Sequence, residues 1–425
     1  MTGGRPRRRP DWLLAEPVSA DGGERRVGWA LFCALAVVVA ALFVPTFDTG
    51  SQVVATAPGA GGTTPAPTGD DPTASGAAEG PRSFVIAATG DLLVHEAVAA
   101  SAATPDGGWD FRPQLSGVAE VLTAADLAIC HVESPLSPDD TNLSYYPAFN
   151  VPNELADAIA ATGWDTCSLA SNHALDTGET GVRGTIEALD RVGVGHHGMA
   201  RSADERARID LRDAGGVAVA HLSYTYGLNT GPLPPEAPWL TNLIDVPTIA
   251  ADAAAARAAG AEFVVVSLHW GTQYSAELDD LQRAIGPRVI ALDEVDLVIG
   301  HHAHVVQPVT ELDGEYVVNG LGNFLSNQSP ETCGGCPPGT SDGVIVRLRV
   351  TERPGGGFAV TGLDHIATWV DRTDHHVVVV SAPDREADPA VLDASATRTA
   401  AALASAGVVV PAARPGDPVA PVAGS

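Results

Sequence analysis

Asp91, Glu133, Asn172, His173, His269, His302 and His304 share one position in this sequence: each stands at, or just beyond, the end of an apolar run. Carboxylate, carboxamide and imidazole make an oxygen and nitrogen donor set. That set suits Mn, Fe or Zn better than it suits soft thiolate metals or an all-oxygen calcium site. Each residue taken singly has a plainer reading. Gly90-Asp91 can be a turn, Asn172-His173 a helix cap and a hydrogen-bonded imidazole, and His269-Trp270-Gly271 a packed corner. The stretch His301-His302-Ala303-His304 differs, because three imidazoles in four residues directly after a Val/Ile run are hard to explain by packing. A metal there makes the other strand-end groups its natural partners. Two cations sharing a water or hydroxide bring its pKa towards neutrality. Glu133 can bridge them, and a neighbouring His outside the ligand set can protonate a leaving group.

The elements that must carry these groups alternate in kind. Ser83–Thr89 reads as a buried strand ended by Gly90-Asp91, and 126–130 leads into His131-Val132-Glu133. Asn153 can cap a helix with Leu155 and Ile159 on one face. The short strand 166–170 runs into Ser171-Asn172-His173, and 182–189 has helical spacing. Further strands are expected at 216–222, 263–268 and 296–299, with a helix between the last two that Ser275 can cap and that carries Leu281, Ile285, Val289 and Leu292. Strands follow at 344–350 and 376–380, a helix at 390–404, and a loose Pro/Ala-rich tail from Pro411. Strands alternating with helices predict a layered α/β domain, in which side chains distant in sequence converge at strand ends.

The chain has 425 residues and a formal net charge of −28, which disfavours nucleic acid as a partner. Arg5, Arg7, Arg8, Arg9, Arg25 and Arg26 precede an uncharged apolar run from Val27 to Val44, about 27 Å long as a helix and close to the bilayer core. The arginines predict an N-terminus inside. The expected plan is a basic cytoplasmic tail (1–26), a transmembrane anchor (27–45), a disordered linker (46–82), a main domain (83–385) and a C-terminal helix with a loose tail (386–425). A cleaved signal peptide with a site at Ala55-Thr56-Ala57 is the rival reading. Both put the bulk of the chain outside the cytoplasm, and the first makes it a single-pass membrane protein. Of the five cysteines, Cys333 and Cys336 have the spacing of a local loop-closing disulfide outside the cell, or of redox chemistry or half a zinc site inside it. The partners of Cys130 and Cys167 cannot be read.

The order of motifs across about 84–330 resembles the CapA family of capsule-synthesis proteins: Gly90-Asp91, Val132-Glu133, Asn172-His173 with Asp176 and Gly178, His269-Trp270-Gly271, Gly300-His301-His302 with His304, and Leu321-Gly322-Asn323-Phe324. That family is associated with poly-γ-glutamate capsules and is related to calcineurin-like metallophosphatases, which implies a four-layer α/β/β/α sandwich. By the resemblance, Asp91, Glu133, Asn172, His269, His302 and His304 hold two divalent ions (Mn, Fe or Zn), His173 is the proton donor, and Asp176 orients it. The pattern departs at Leu93, where metallophosphatases have His, at Glu133, where they have Asp, and at His131, where the family has Asn. The implied function is a metal-dependent hydrolase acting on a cell-surface polymer or its precursor. The alternatives are a non-catalytic capsule assembly or export factor, and a phosphodiesterase or phosphatase on surface phosphate esters.

Overall fold

The computed structural model describes residues 80–422. The basic tail, the apolar run 27–45 and nearly all of the linker lie outside these residues. Among the described residues no helix is long and apolar enough to cross a membrane.

The chain opens with β1 (Ser83–Leu92), β2 (Leu127–Val132), β3 (Thr166–Ser168) and β4 (Gly195–His197), parallel neighbours joined by helical crossovers. A second sheet follows from β5 (Leu211–Ala214), β6 (Val217–Thr225), β7 (Phe263–His269), β8 (Leu297–His301), β9 (Val309–Leu312) and β10 (Glu315–Val318), in the order β5-β6-β7-β8-β10-β9. The chain then returns to the first sheet through β11 (Asn323–Leu325), β12 (Asp342–Glu352), β13 (Phe358–Asp371) and β14 (His376–Val379). The finished order is β14-β13-β12-β1-β2-β3-β4, with β11 pairing the far end of β1.

Strand alternation sorts the core into layers. Phe84, Ile86 and Ala88 of β1 face Val217, Val219, Phe263, Val265, Leu297 and Ile299 of the other sheet, so the two sheets stack. Ala87, Cys130 and Val132 point the other way, under Ile159 of helix Leu155–Thr162 and Val182, Ile186 and Leu189 of helix Gly178–Val192. On the far side, Val264, Val266 and Val298 pack against Ile249 and Val289 of helices Val246–Ala258 and Asp280–Ile290. The layers of this α/β domain therefore run helix, sheet, sheet, helix.

Some local expectations are corrected. Helix Asp280–Ile290 is capped by Asp279, which accepts from the Gln282 amide while Gln282 reaches back to the Asp279 amide. Ser275 instead folds onto Glu277. Asn153 does not cap helix Leu155–Thr162; its side chain bonds Asp140. Cys130 and Cys167 are register partners on β2 and β3 and form a disulfide, and Cys333–Cys336 form a second.

The residues after helix Pro389–Leu403 are not a loose tail. The Leu363 amide donates to the Ala420 carbonyl at 2.8 Å, the His365 amide to Pro411 at 2.9 Å, and Val410 and Val419 are buried. Arg347 on β12 holds the Asp364 carboxylate in a two-pronged pair at 2.8 and 2.9 Å and donates to the Asp417 carbonyl. Asp364 in turn accepts from the Ala420 amide. A Pro/Ala-rich strap shows no periodicity because β13, not a face of its own, supplies its partners.

Asp364→Ala leaves Arg347 buried and unpaired. It should cost about 3–5 kcal/mol of stability and open residues 408–422 to proteolysis. Urea unfolding and limited digestion of the full-length protein check both effects. Asp110→Ala, which breaks an exposed pair with Arg112, should leave the midpoint near that of the parent protein.

Candidate metal centre

Register brings the polar groups together. Asp91 on β1 lies beside His131 on β2 and Asn323 on β11, and His269 on β7 lies beside His301 on β8. Where the two sheets meet, Nε2 of His131 is 2.9 Å from Nδ1 of His269, and the rings of His131 and His301 stack at 4.2 Å. Close backbone approach makes this possible. A Cβ at Gly90 would sit 2.0 Å from the Gly322 carbonyl oxygen, and one at Gly300 1.9 Å from that of Asn319. Past β8 the backbone turns through His302 (φ 91°) and His304 (φ 57°), left-handed positions that cost about 1–3 kcal/mol each in a residue with a Cβ. The His302 amide donates to Asp91 Oδ2 at 3.2 Å, and Nδ1 of His304 lies 3.0 Å from Asn323 Oδ1 and 3.1 Å from Asp91 Oδ2.

The interior of this junction is short of partners. Asp91 Oδ1, both Glu133 oxygens, both ring nitrogens of His301 and Nδ1 of His302 are buried without a hydrogen bond. A buried carboxylate with no donor is costly, whereas a divalent cation needs such lone pairs. Two groups have ligand atoms within 4.8 Å of one another, Glu133 with His302 and His304, and Asp91 with His131 and Glu133. The donors fit divalent cations, and Glu133 belongs to both groups.

Charge is distributed accordingly. Burial opposes ionisation of Asp91, but the imidazoles of His301 and His304 close beside it hold it well below the usual carboxylate range. Burial pushes Glu133 up to about 7. Burial also works against a charged His304, yet Glu133 and Asp91 push it up to about 9. Burial drives His302 down to about 3 and keeps His131 and His269 neutral. Near neutral pH the Glu133–His304 pair therefore holds a proton where a cation would sit.

All of the residues singled out from the sequence meet here. Asp91, Glu133, His302 and His304 converge directly. Asn172 Oδ1 and His269 Nε2 form an adjoining pair 2.9 Å apart, and His269 Nε2 is 3.9 Å from Glu133 Oε1. Nδ1 of His173 is 2.6 Å from Asp176 Oδ2, which also accepts the Phe149 amide at 2.8 Å. Four participants were given no role from the sequence: His301, noted only as part of the imidazole cluster, His131, noted only as a departure from the family pattern, Ser168, and Asn229, whose side-chain nitrogen lies 3.4 Å from His173 Nε2. The period of two in β2, which puts positions 131 and 133 on one face, was the available signal for His131.

His131 has a particular job. Its Nδ1 is 2.6 Å from Ser168 Oγ, and its Nε2 faces His269 Nδ1. For His269 Nε2 to offer a lone pair to a cation, Nδ1 must carry the proton and donate it to His131 Nε2. The His131 proton then sits on Nδ1 and is donated to Ser168. With a cation at His269 Nε2, both nitrogens of His131 would be engaged, and it would fix the tautomer of His269 rather than bind the cation itself, despite its place beside Asp91 and Glu133.

The profile of the bacterial capsule synthesis protein family PGA_cap matches residues 85–328, more than half of the 425-residue chain. The chain belongs to that family. Every residue of the centre falls inside the PGA_cap region. Similar proteins include the PGA biosynthesis protein CapA of Bacillus subtilis (30% identical over 216 residues, 47% of this chain and 50% of that one) and the capsule biosynthesis protein CapA of Bacillus anthracis (24% over 219 residues, 50% and 53%). The chain spans about half the length of these two curated relatives. Among solved structures, the calcineurin-like phosphoesterase YfkN of Bacillus subtilis aligns over 75% of this chain and 97% of its own, with 14% identity and a TM-score of 0.40.

Because a cation must displace the proton held by Glu133 and His304, affinity for Mn²⁺ should rise between about pH 6 and 9, by up to about tenfold per unit for each proton displaced. Calorimetric titration in buffers of different ionisation enthalpy reads both the trend and the proton release, and a flat profile would contradict the assignment. Ser168→Ala should weaken metal binding at the His269 side about 10- to 100-fold while the fold is kept. Equilibrium dialysis with metal analysis measures this, and parent-like affinity would remove Ser168 from the chain.

Proposed function

We propose that this PGA_cap protein is a membrane-anchored hydrolase outside the cytoplasm that acts in the synthesis of a capsule or other surface polymer. Two divalent ions (Mn, Fe or Zn) are held by Asp91, Glu133, Asn172, His269, His302 and His304. The observation that carries this reading is the set of buried, partnerless carboxylate and imidazole atoms lying beside an oriented His173–Asp176 pair. Bound cations would supply an activated water and charge stabilisation.

The protein's own groups do the rest. Asp176, itself fixed by the Phe149 amide, holds the proton of His173 Nδ1. The edge of Phe149 meets the His173 ring at 4.7 Å and limits its rotation. Nε2 is left as the atom that exchanges a proton with a leaving group. A cavity of about 520 Å³, lined by His173 and His304 among others, gives access from solvent. The apolar run 27–45 behind its arginines supports the anchor, and two disulfides suit an oxidising compartment. The relatives' names support a place in capsule biosynthesis.

One feature favours a second reading. Every ligand of the centre is at most 3% exposed, and closed sites are characteristic of structural metals. A non-catalytic assembly or export factor would keep such a site.

The test is turnover by the metal-loaded full-length protein on a γ-glutamyl oligomer, a phosphodiester and a phosphomonoester. His173→Ala should keep its metal and lose about 10²–10⁴-fold in rate. His302→Ala with His304→Ala should lose the metal itself. A fully loaded protein inert on every substrate supports the assembly-factor reading, and undiminished turnover in His173→Ala ends the acid role.

A further inference from the structure

Tyr226 and Asn229 stand on the loop that leaves β6, and both reach the metal centre. The Tyr226 amide donates to the His269 carbonyl at 3.0 Å, and the Asn229 amide donates to the Asn172 carbonyl at 2.9 Å. Between them the Thr225 hydroxyl donates to the Gly227 carbonyl at 3.1 Å and closes the turn. The loop is thus tied by its backbone to two candidate ligands.

Tyr226 lies over the imidazoles. Its ring is within 6° of parallel to that of His269, with centroids 6.3 Å apart, and its centroid is 4.8 Å from that of His302. Those two histidines are 1% and 3% exposed, whereas Tyr226 is 44% exposed. A phenol therefore stands between solvent and two candidate ligands. Hydrogen-bond direction decides what its hydroxyl can do. Asn172 turns Oδ1 towards His269 Nε2, the side on which it would bind a cation, so its NH₂ faces the other way. That NH₂ donates to Asn229 Oδ1 at 3.4 Å and hydrogen-bonds the Tyr226 hydroxyl. A carboxamide NH₂ can only donate, so the tyrosine oxygen is the acceptor and its own proton stays free. Glu133 is the charge that acts on this hydroxyl. Asn229 completes the row, with its side-chain nitrogen against His173 Nε2.

With a cation at Asn172 and His269, and the Glu133 oxygens engaged as ligands, the phenol proton has one partner left: an oxygen of whatever group is bound there. We propose that the Tyr226 hydroxyl donates a hydrogen bond to the negative oxygen of a tetrahedral group held at the His269 side of the centre. Such a donor, fixed in place before charge develops, stabilises that charge without reorganising. Tyr226 keeps its proton throughout, and His173 remains the group that exchanges one with a leaving group. This rests on the reading of Asn172 and His269 as metal ligands in a centre that binds a substrate.

The probe is inorganic phosphate, a stable tetrahedral anion, titrated by calorimetry into the Mn²⁺-loaded full-length protein, with metal content measured in parallel. The expected result is saturable binding that disappears from the metal-free protein. Tyr226→Phe keeps a ring over His269 and His302 and removes only the hydroxyl. It should hold metal like the parent protein and bind phosphate about 10- to 100-fold more weakly. Parent-like phosphate affinity in Tyr226→Phe would overturn the proposal. If only Tyr226→Leu binds phosphate weakly, the ring is a shield and the donor role is overturned. Loss of metal from Tyr226→Phe would overturn it too, by making the hydroxyl a support for the ligands. The two readouts separate the failures: a protein that loads no metal sinks the centre itself, whereas a loaded protein that ignores phosphate sinks only the role of Tyr226. Neither readout needs turnover, so an inert protein would end the hydrolase reading without touching this result.

Discussion

Asp91 and Glu133 bring two carboxylates to the dry junction between two sheets and leave them short of donors. Much of the surrounding construction answers that constraint. Imidazoles of His301 and His304 crowd against Asp91, and the backbone of His302 turns left-handed with its amide towards the same carboxylate. Glycines at 90 and 300 let neighbouring chain come close enough to complete the cage. None of these choices is favourable locally. Together they make a set of lone pairs that is expensive when empty and well matched to a divalent cation.

Support outside the cage follows hydrogen-bond directionality rather than charge. Ser168, His131 and His269 form a line in which each imidazole's proton is placed by its neighbour. Asn323 does similar work for His304, since its amide is fixed by Gln328 and the Thr340 carbonyl while its oxygen faces the ring. Asp176 does it for His173. Four histidines are thus oriented by a hydroxyl, an imidazole, a carboxamide and a carboxylate, and a substitution well away from such a ring can misplace its lone pair.

The sequence exposed the centre through one physical habit: a Val-rich strand that ends abruptly in a polar group. Asp91, His269 and His302 are of that kind, and the alternation of such strands with helices made the α/β layering readable. His131 was harder to see because it lies inside β2, where a histidine reads as core, and only its two-residue spacing from Glu133 places it on the same face. Asn229 comes from a loop with no pattern, and its approach to His173 depends on where that loop crosses the molecule. The pairing of Cys130 with Cys167 depends on sheet register, and the strap along β13 on partners supplied by a distant strand. These are properties of the assembled sheet, which no local window contains.

β1 is the first strand of the domain, but it sits in the middle of its sheet, between β2 and β12. Residues Phe84 to Thr89 pair with Ile345 to Val350, so one whole edge of β1 stays open until almost the entire domain exists. The strand that delivers Asp91 is therefore among the last to be locked, although it emerges early. Non-local pairing of this sort makes folding slow. It also orders events in time: the cage closes after synthesis of the chain is nearly complete, so any cation it takes would come from whichever compartment holds the finished polypeptide. The metal content of this protein should then report where it folded, not where it was made.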